Sequence, residues 1–256
     1  MSGQRLVFPV MGTMSSISVP DSEAEQHGRA TVDLALREAK SELERLDHRF
    51  SHYSAASDIS RWQAGHSVGP DTLADIMHVL DRCQELEAES AGAFRIKDPR
   101  TGALDTAGYV KGYAIGRAAE VLRHNGLSSF AVGVGGDAYF SGRSAGDRPW
   151  NVAVQHPARR YGVAAVVAVT DAAVATSGTT ERGDHIWVTD GASRTGDIVS
   201  FTVIGPSIAQ ADAFATAAFA MGEDGMAWVG RHEGYRSVVV RADRSVQSDA
   251  ALVSAA

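Results

Sequence analysis

A carboxylate and a hydroxyl stand four residues apart in the segment Gln210–Thr216. If the segment is helical, Asp212 and Thr216 lie on one face, one turn apart. Both side chains are hard oxygen ligands, of the kind that magnesium binds together with carbonyls, waters and substrate phosphates. Their small apolar neighbours predict a buried helix, in which a carboxylate is costly unless it is paired or bound to a metal. The alternative is an aspartate that stabilises a helix N-terminus.

A second candidate is the glycine-containing segment Asp105–Gly112, which leads from a loop into a helix. Free N–H groups at a helix start, together with Lys111 in its first turn, form a corner that suits a phosphate. The carboxylate of Asp105 is an acceptor for a ring N–H. The alternative is a solvent-exposed lysine after a turn that enters a helix.

Hydroxyls, an arginine and a histidine cluster in Ala175–Arg182 and the following His185-Ile-Trp187. Hydroxyls and backbone N–H groups at a strand end suit phosphate or ribose, and His185 can move a proton near neutral pH. The alternative is an ordinary strand end with a structural histidine.

Two other patterns are weaker. The segment Gly133–Ala138 matches a dinucleotide fingerprint, but a strand and a turn follow it instead of a helix, so it predicts a tight turn. His48 and His52 have the spacing of zinc ligands on a helix. That helix ends near Phe50 and no third ligand is in register, which argues against zinc.

The elements that carry these segments follow from hydrophobic periodicity. Apolar residues repeat at helical spacing over 32–50, 71–89, from about 111 to 124, and over 207–221, with a shorter helix near 223–232. Strands are expected at about 129–134, 150–155, 163–170, 173–176, 185–189, 199–205 and 235–241, after a hairpin over 5–19. The mixture predicts an α+β fold with mixed sheets flanked by helices, in one domain over 1–244 with a loose tail over 245–256.

Composition limits the function classes. The 256 residues suit one large domain, and the net charge of -7 argues against nucleic acid or anionic membranes as partners. No apolar run reaches the roughly 18 residues of a membrane span, and no secretory signal is visible. Cys83 is the one cysteine, so no disulfide within the chain is possible, and we expect a cytoplasmic protein.

Taken in order, the motifs resemble the ApbE family of FAD:protein FMN transferases. The matching segments, which span about residues 10–222, are Met11-Gly-Thr13, His48–Tyr53 with Ser57-Asp-Ile59, Gly92-Ala-Phe94, Asp105–Gly112, Gly135-Gly-Asp137, Thr176-Ser-Gly178 with His185-Ile186, and Thr202-Val-Ile204 followed by Ala211-Asp-Ala213 and Thr216.

The resemblance implies magnesium-dependent transfer of FMN from FAD to a Thr or Ser hydroxyl of an acceptor flavoprotein, with release of AMP. It implies magnesium ligands at the side chains of Asp212 and Thr216 and at the carbonyl of Gly108. It also implies His185 as the base and Lys111 as a second catalytic group. The FAD contacts implied are Met11, Tyr53, Ala93, Phe94, Asp105, Lys111, Ile186 and Trp187.

Two departures from the family pattern keep other functions open. The chain between Phe94 and Asp105 is short for the family, and Ala215 stands where a second metal-site aspartate is common. The alternatives are a pyrophosphatase that splits FAD into FMN and AMP, and a flavin-binding protein without catalysis.

Overall fold

The computed structural model describes residues 3–98, 101–157, 162–179 and 196–253. Within these residues an eight-stranded sheet has the order β1-β2-β3-β4-β7-β8-β9-β10, and β5 and β6 form a separate ribbon. The strands are β1 (Gly3–Val10), β2 (Thr13–Pro20), β3 (Phe130–Val134), β4 (Asp137–Ser141), β5 (Trp150–Gln155), β6 (Val163–Val169), β7 (Ala172–Gly178), β8 (Ile198–Gly205), β9 (Arg236–Arg241) and β10 (Val246–Ser248).

Helices cover one face of the eight-stranded sheet. They are α1 (Asp21–His27), α2 (Arg29–Phe50), α3 (Asp58–Gln63), α4 (Pro70–Glu89), α5 (Ala107–His124), α6 (Ile208–Met221) and α7 (Gly225–Val229), with a 3-10 turn at Gly222–Asp224. Helix α5 lies between α2 and α6, and α6 packs on β7 and β8. The α+β prediction is confirmed, although every pairing among the described strands is antiparallel instead of mixed.

Alternation along the strands explains the two layers. Ala173 and Ala175 of β7 belong to the large core beneath the helices. Val174, between them, points to the opposite face and packs with Val154 of β5 and Val167 of β6 in a second cluster. The β5–β6 ribbon therefore covers the sheet face that the helices leave open, near β7 to β9.

Two expectations need correction. Helix α5 begins at Ala107, so Lys111 lies in its second turn; the earlier start is held by the Asp105 carboxylate, whose Oδ1 accepts a hydrogen bond from Ala107 N at 2.9 Å. The tail expected from residue 245 is not loose over 246–253. Strand β10 pairs with β9, and Val253 N donates to Val166 O at 2.7 Å.

Among the described residues, no helix has the length and apolar character that crossing a membrane requires.

Candidate active site

A cleft of about 1170 Å³ opens beside the ends of the central strands. Its walls come from the β1–β2 turn, the C-terminal end of α2, the first turns of α5, the β3–β4 turn and strands β5 and β7. Among the residues predicted from sequence, Met11, Tyr53 and Lys111 line it. The cleft therefore unites segments that lie far apart in the chain.

Met11 is fixed by a tight turn at the rim. Met11 and Gly12 both have positive φ, 52° and 69°, as the turn of a two-residue hairpin requires. The Met11 N–H donates to Asp47 Oδ2 of α2 at 3.0 Å, which ties the hairpin to the helix layer. Tyr53 stands at the mouth with 96% of its surface exposed, so its ring is available to a ligand.

A buried charge cluster lies where α5, β4 and α6 meet. The Lys111 ammonium forms a close ion pair with Asp137 Oδ2 and lies 3.6 Å from Asp212 Oδ1. Asp137 Oδ1 accepts a hydrogen bond from Thr176 N at 2.8 Å, and Asp212 Oδ2 accepts one from Gly112 N at 2.9 Å. Lys111 lines the cleft, whereas the two carboxylates lie behind it.

Glycine at position 112 permits close contact between α5 and α6. A Cβ there would lie 2.5 Å from Ile208 O and 2.9 Å from Asp212 Cβ, too close for any side chain. At the same contact, a Cβ on Gly108 would lie 3.5 Å from Thr216 Oγ1. The contact thus brings the backbone of α5 close to Asp212 and Thr216 of α6.

The oxygens at this contact fit a small hard cation. The candidate donors are the Asp212 carboxylate, Thr216 Oγ1, which lies 3.2 Å from Ser177 Oγ, and the carbonyl of Gly108, a residue that packs against Thr216. Gly112 N donates to Asp212 Oδ2 at 2.9 Å, which joins the two helices at this contact. The described residues contain no group of three His, Cys, Asp or Glu placed to hold a metal. A cation here would depend on hydroxyl, carbonyl, water or phosphate oxygens, which magnesium accepts.

Three other predicted residues lie outside the cleft lining. Phe94 is buried beneath Gly108, where a Cβ would meet its ring at 3.0 Å, and Ala93 is half-buried against the core. Asp105 caps the start of α5. These residues support the segment that carries Lys111. The predicted residues His185, Ile186 and Trp187 lie outside the described residues.

Sequence reasoning assigned no role to His52 or Asp137, although both belong to the quoted motifs. His52 lines the cleft, and its Nε2 lies 2.9 Å from Thr106 Oγ1 and 3.3 Å from Thr106 N, at the N-terminal cap of α5. Burial lowers the pKa of His52, and the nearby Asp105 charge opposes that shift. A neutral ring is the form that accepts the Thr106 N–H.

Comparisons with known proteins agree on one family. The ApbE family pattern matches residues 11–98 and 96–240. A protein of Klebsiella pneumoniae named FAD:protein FMN transferase is 30% identical over 69% of this chain and 55% of its own, and one of the same name from Treponema pallidum is 28% identical over 76% and 61%. The chain therefore spans little more than half the length of these relatives.

Solved structures show the same fold. The flavin transferase ApbE from Vibrio cholerae superposes with a TM-score of 0.72 at 20% identity, covering 97% of both chains. The ApbE protein from Thermotoga maritima superposes with a TM-score of 0.74 at 21% identity, covering 96% of both.

Proposed function

Because the chain belongs to the ApbE family, we propose that it transfers FMN from FAD to a Thr or Ser hydroxyl of an acceptor flavoprotein and releases AMP. One observation carries the proposal: the buried Lys111 lines a large cleft, and its ammonium lies 3.6 Å from Asp212, the proposed magnesium ligand. Phosphoryl transfer needs mainly positioning and charge neutralisation, and this site offers both.

The proposed magnesium site consists of Asp212, Thr216 and the Gly108 carbonyl. Bound there, magnesium would neutralise charge on the phosphoryl oxygens and on the leaving AMP. The support is the close approach of α5 to α6, where a Cβ on Gly112 would lie 2.9 Å from Asp212 Cβ and one on Gly108 would lie 3.5 Å from Thr216 Oγ1.

Residues of the cleft supply the remaining functions. Lys111 offers positive charge to the pyrophosphate, which an acidic chain must provide locally. Met11 and the exposed ring of Tyr53 offer apolar surface to the flavin at the rim. Ala93, Phe94 and Asp105 would act on FAD mainly by supporting the start of α5. His185, with Ile186 and Trp187, is the proposed base beside the flavin; its support is the motif that follows Thr176-Ser-Gly178.

The test is to incubate the protein with FAD, magnesium and a set of candidate acceptor domains, and to measure the acceptors by intact-protein mass spectrometry. We expect the mass of FMN on an acceptor, lost when either FAD or magnesium is omitted. Confirmed FAD binding without an adduct on any acceptor would refute the transfer. FMN released free in solution would instead indicate the pyrophosphatase.

A further inference from the structure

The Lys111 ammonium is shared unequally between two buried carboxylates. It pairs closely with Asp137, while Asp212 Oδ1 lies 3.6 Å away, beyond ordinary hydrogen-bond distance. The ammonium therefore lies closer to the carboxylate of β4 than to that of α6. The more distant carboxylate, Asp212, is the one proposed to bind magnesium.

Asp137 is held in place independently of Lys111. It is the first residue of β4, directly after the Gly135-Gly136 turn, and it is buried with 1% of its surface exposed. Its Oδ1 accepts the Thr176 N–H of the neighbouring strand at 2.8 Å. Because a sheet contact fixes this carboxylate, it is a rigid anchor for the ammonium.

Asp212, unlike Asp137, would serve its proposed role only if the ammonium does not occupy its second oxygen. One of its oxygens already accepts the Gly112 N–H, so few positions around the carboxylate remain for a cation. An ammonium in full contact with the other oxygen would compete with a divalent ion for the same negative charge.

We propose that Asp137 is a positioning residue that holds the Lys111 ammonium off Asp212 and thereby keeps that carboxylate available to a divalent cation. The inference rests on the proposed function, since it concerns the same metal site. It gives the Gly135-Gly-Asp137 motif a role that is separate from FAD contact.

Metal affinity tests the proposal without any turnover. Mn²⁺ is titrated into the protein in the absence of FAD, and the free ion is counted by electron paramagnetic resonance. Asp137→Asn keeps an acceptor oxygen for Thr176 N but removes the charge that holds Lys111. We expect this variant to bind Mn²⁺ at least tenfold more weakly than the wild type.

A second substitution distinguishes an effect of the Lys111 ammonium on Mn²⁺ affinity from a general loss of structure. Adding Lys111→Met to Asp137→Asn removes the competing ammonium, and we expect affinity to return to within about threefold of the wild type. Lys111→Met alone should bind Mn²⁺ as tightly as the wild type or more tightly. This arm keeps the test decisive if Asp137→Asn alone does not fold.

The outcomes are distinguishable. Wild-type binding that Asp212→Asn does not weaken would overturn the metal site of the proposed function, and this inference with it. Wild-type binding that depends on Asp212 but is unchanged in Asp137→Asn would overturn the inference alone. So would a double variant as weak as Asp137→Asn, or weaker binding in Lys111→Met.

Discussion

At the scale of single residues, the site depends on how its buried charges compensate one another. An unpaired ammonium or carboxylate in this location would be strongly unfavourable. Lys111 with Asp137 and Asp212 forms a cluster in which each charge has a partner, and one face of the lysine reaches the cleft. One ammonium between two carboxylates leaves the cluster net negative, so it would present positive charge to a pyrophosphate only with the proposed magnesium bound.

Asp212→Asn tests the proposed metal ligand. The amide keeps an acceptor for Gly112 N–H but loses the charge that magnesium requires. We expect FMN transfer to fall by about 100-fold or more, because the metal contributes several kcal/mol of charge stabilisation. Initial rates at saturating FAD provide the measurement. Asp224→Asn, an exposed aspartate just beyond α6, is the control and should retain the wild-type rate. A fully active Asp212→Asn would refute the assignment.

His52 should make stability depend on pH. Its pKa in the folded protein lies below the unfolded value of 6.5, because burial disfavours the charged ring more than Asp105 favours it. The folded state therefore binds fewer protons than the unfolded state between these two values. The stabilisation is fully present above about pH 6.5 and is lost as pH falls toward the lower, folded pKa.

Urea unfolding between pH 5 and 8 measures this effect. We expect the unfolding free energy to decrease toward acid in the wild type, and the decrease to be smaller in His52→Gln. His124→Gln, at the exposed end of α5, is the matched control and should keep the wild-type pH dependence. Equal acid sensitivity in His52→Gln and the wild type would count against the capping role.

Residue types, local spacing and the family resemblance predict Asp212, Thr216 and Lys111 as site residues, and the structure brings Lys111 to 3.6 Å from Asp212. The sequence did not show that Asp137 pairs with Lys111. Lys111 lies in α5 and Asp137 lies in β4, with β3 between them in sequence. No local sequence pattern therefore indicates their contact. The role of His52 at Thr106 was missed for the same reason, since its partner lies in a different part of the chain.

At the scale of elements, the contact of α5 with α6 determines how close the proposed magnesium ligands of the two helices lie. Gly112 lies at the closest approach, while Gly116, one turn later, faces more open space, with only Ile208 Cγ2 at 3.5 Å from an added Cβ. The two glycines thus lie in the same helix, but only Gly112 directly faces the backbone of α6.

Alanine at each glycine separates packing from helix propensity. Gly112→Ala should lower the unfolding free energy by about 1–3 kcal/mol, because the backbone of α6 must move away. Gly116→Ala should raise it by up to about 1 kcal/mol, since alanine favours the helix. Urea titration of both variants measures the difference. Equal unfolding free energies of the two alanine variants would show that the α5 and α6 backbones are farther apart than in this structure.

The element boundaries show where local patterns lose information. Long amphipathic helices such as α2 and α4 were predicted within three residues at each end. Helix α5 begins four residues before the position that periodicity predicts, because Asp105 and His52 stabilise its first turn through contacts that periodicity does not contain. The short helices α1 and α3 were not predicted, since each has too few turns for a clear pattern.

At the scale of the whole molecule, two layers on opposite faces of one sheet enclose the cleft. Strand β4 pairs with β7. The β5–β6 ribbon, which lies between these strands in sequence, packs on the face of the sheet opposite the helices. Alternating hydrophobicity predicted strands and an α+β class, but strand order depends on pairings between distant segments. The sheet order was therefore not predictable from the pattern alone.

Removing residues 245–256 tests whether the C-terminal segment is part of the domain. The deletion exposes the edge of β9 and removes the bond from Ser237 Oγ to Asp249 Oδ1 at 3.3 Å as well as the Val253–Val166 bond. With each hydrogen bond worth about 0.5–1.5 kcal/mol, we expect a loss of about 2–4 kcal/mol in unfolding free energy. Chemical unfolding of both chains measures it. Unchanged stability would restore the view of a dispensable tail.

The most direct test of the central claim is the stoichiometry of AMP release. The protein is mixed with FAD, magnesium and an acceptor that carries the target hydroxyl, and AMP and acceptor-bound FMN are both quantified. The account predicts one AMP for each FMN attached and almost no AMP when the acceptor is left out. Equal AMP release with and without the acceptor would contradict it, and so would bound FAD that yields no AMP.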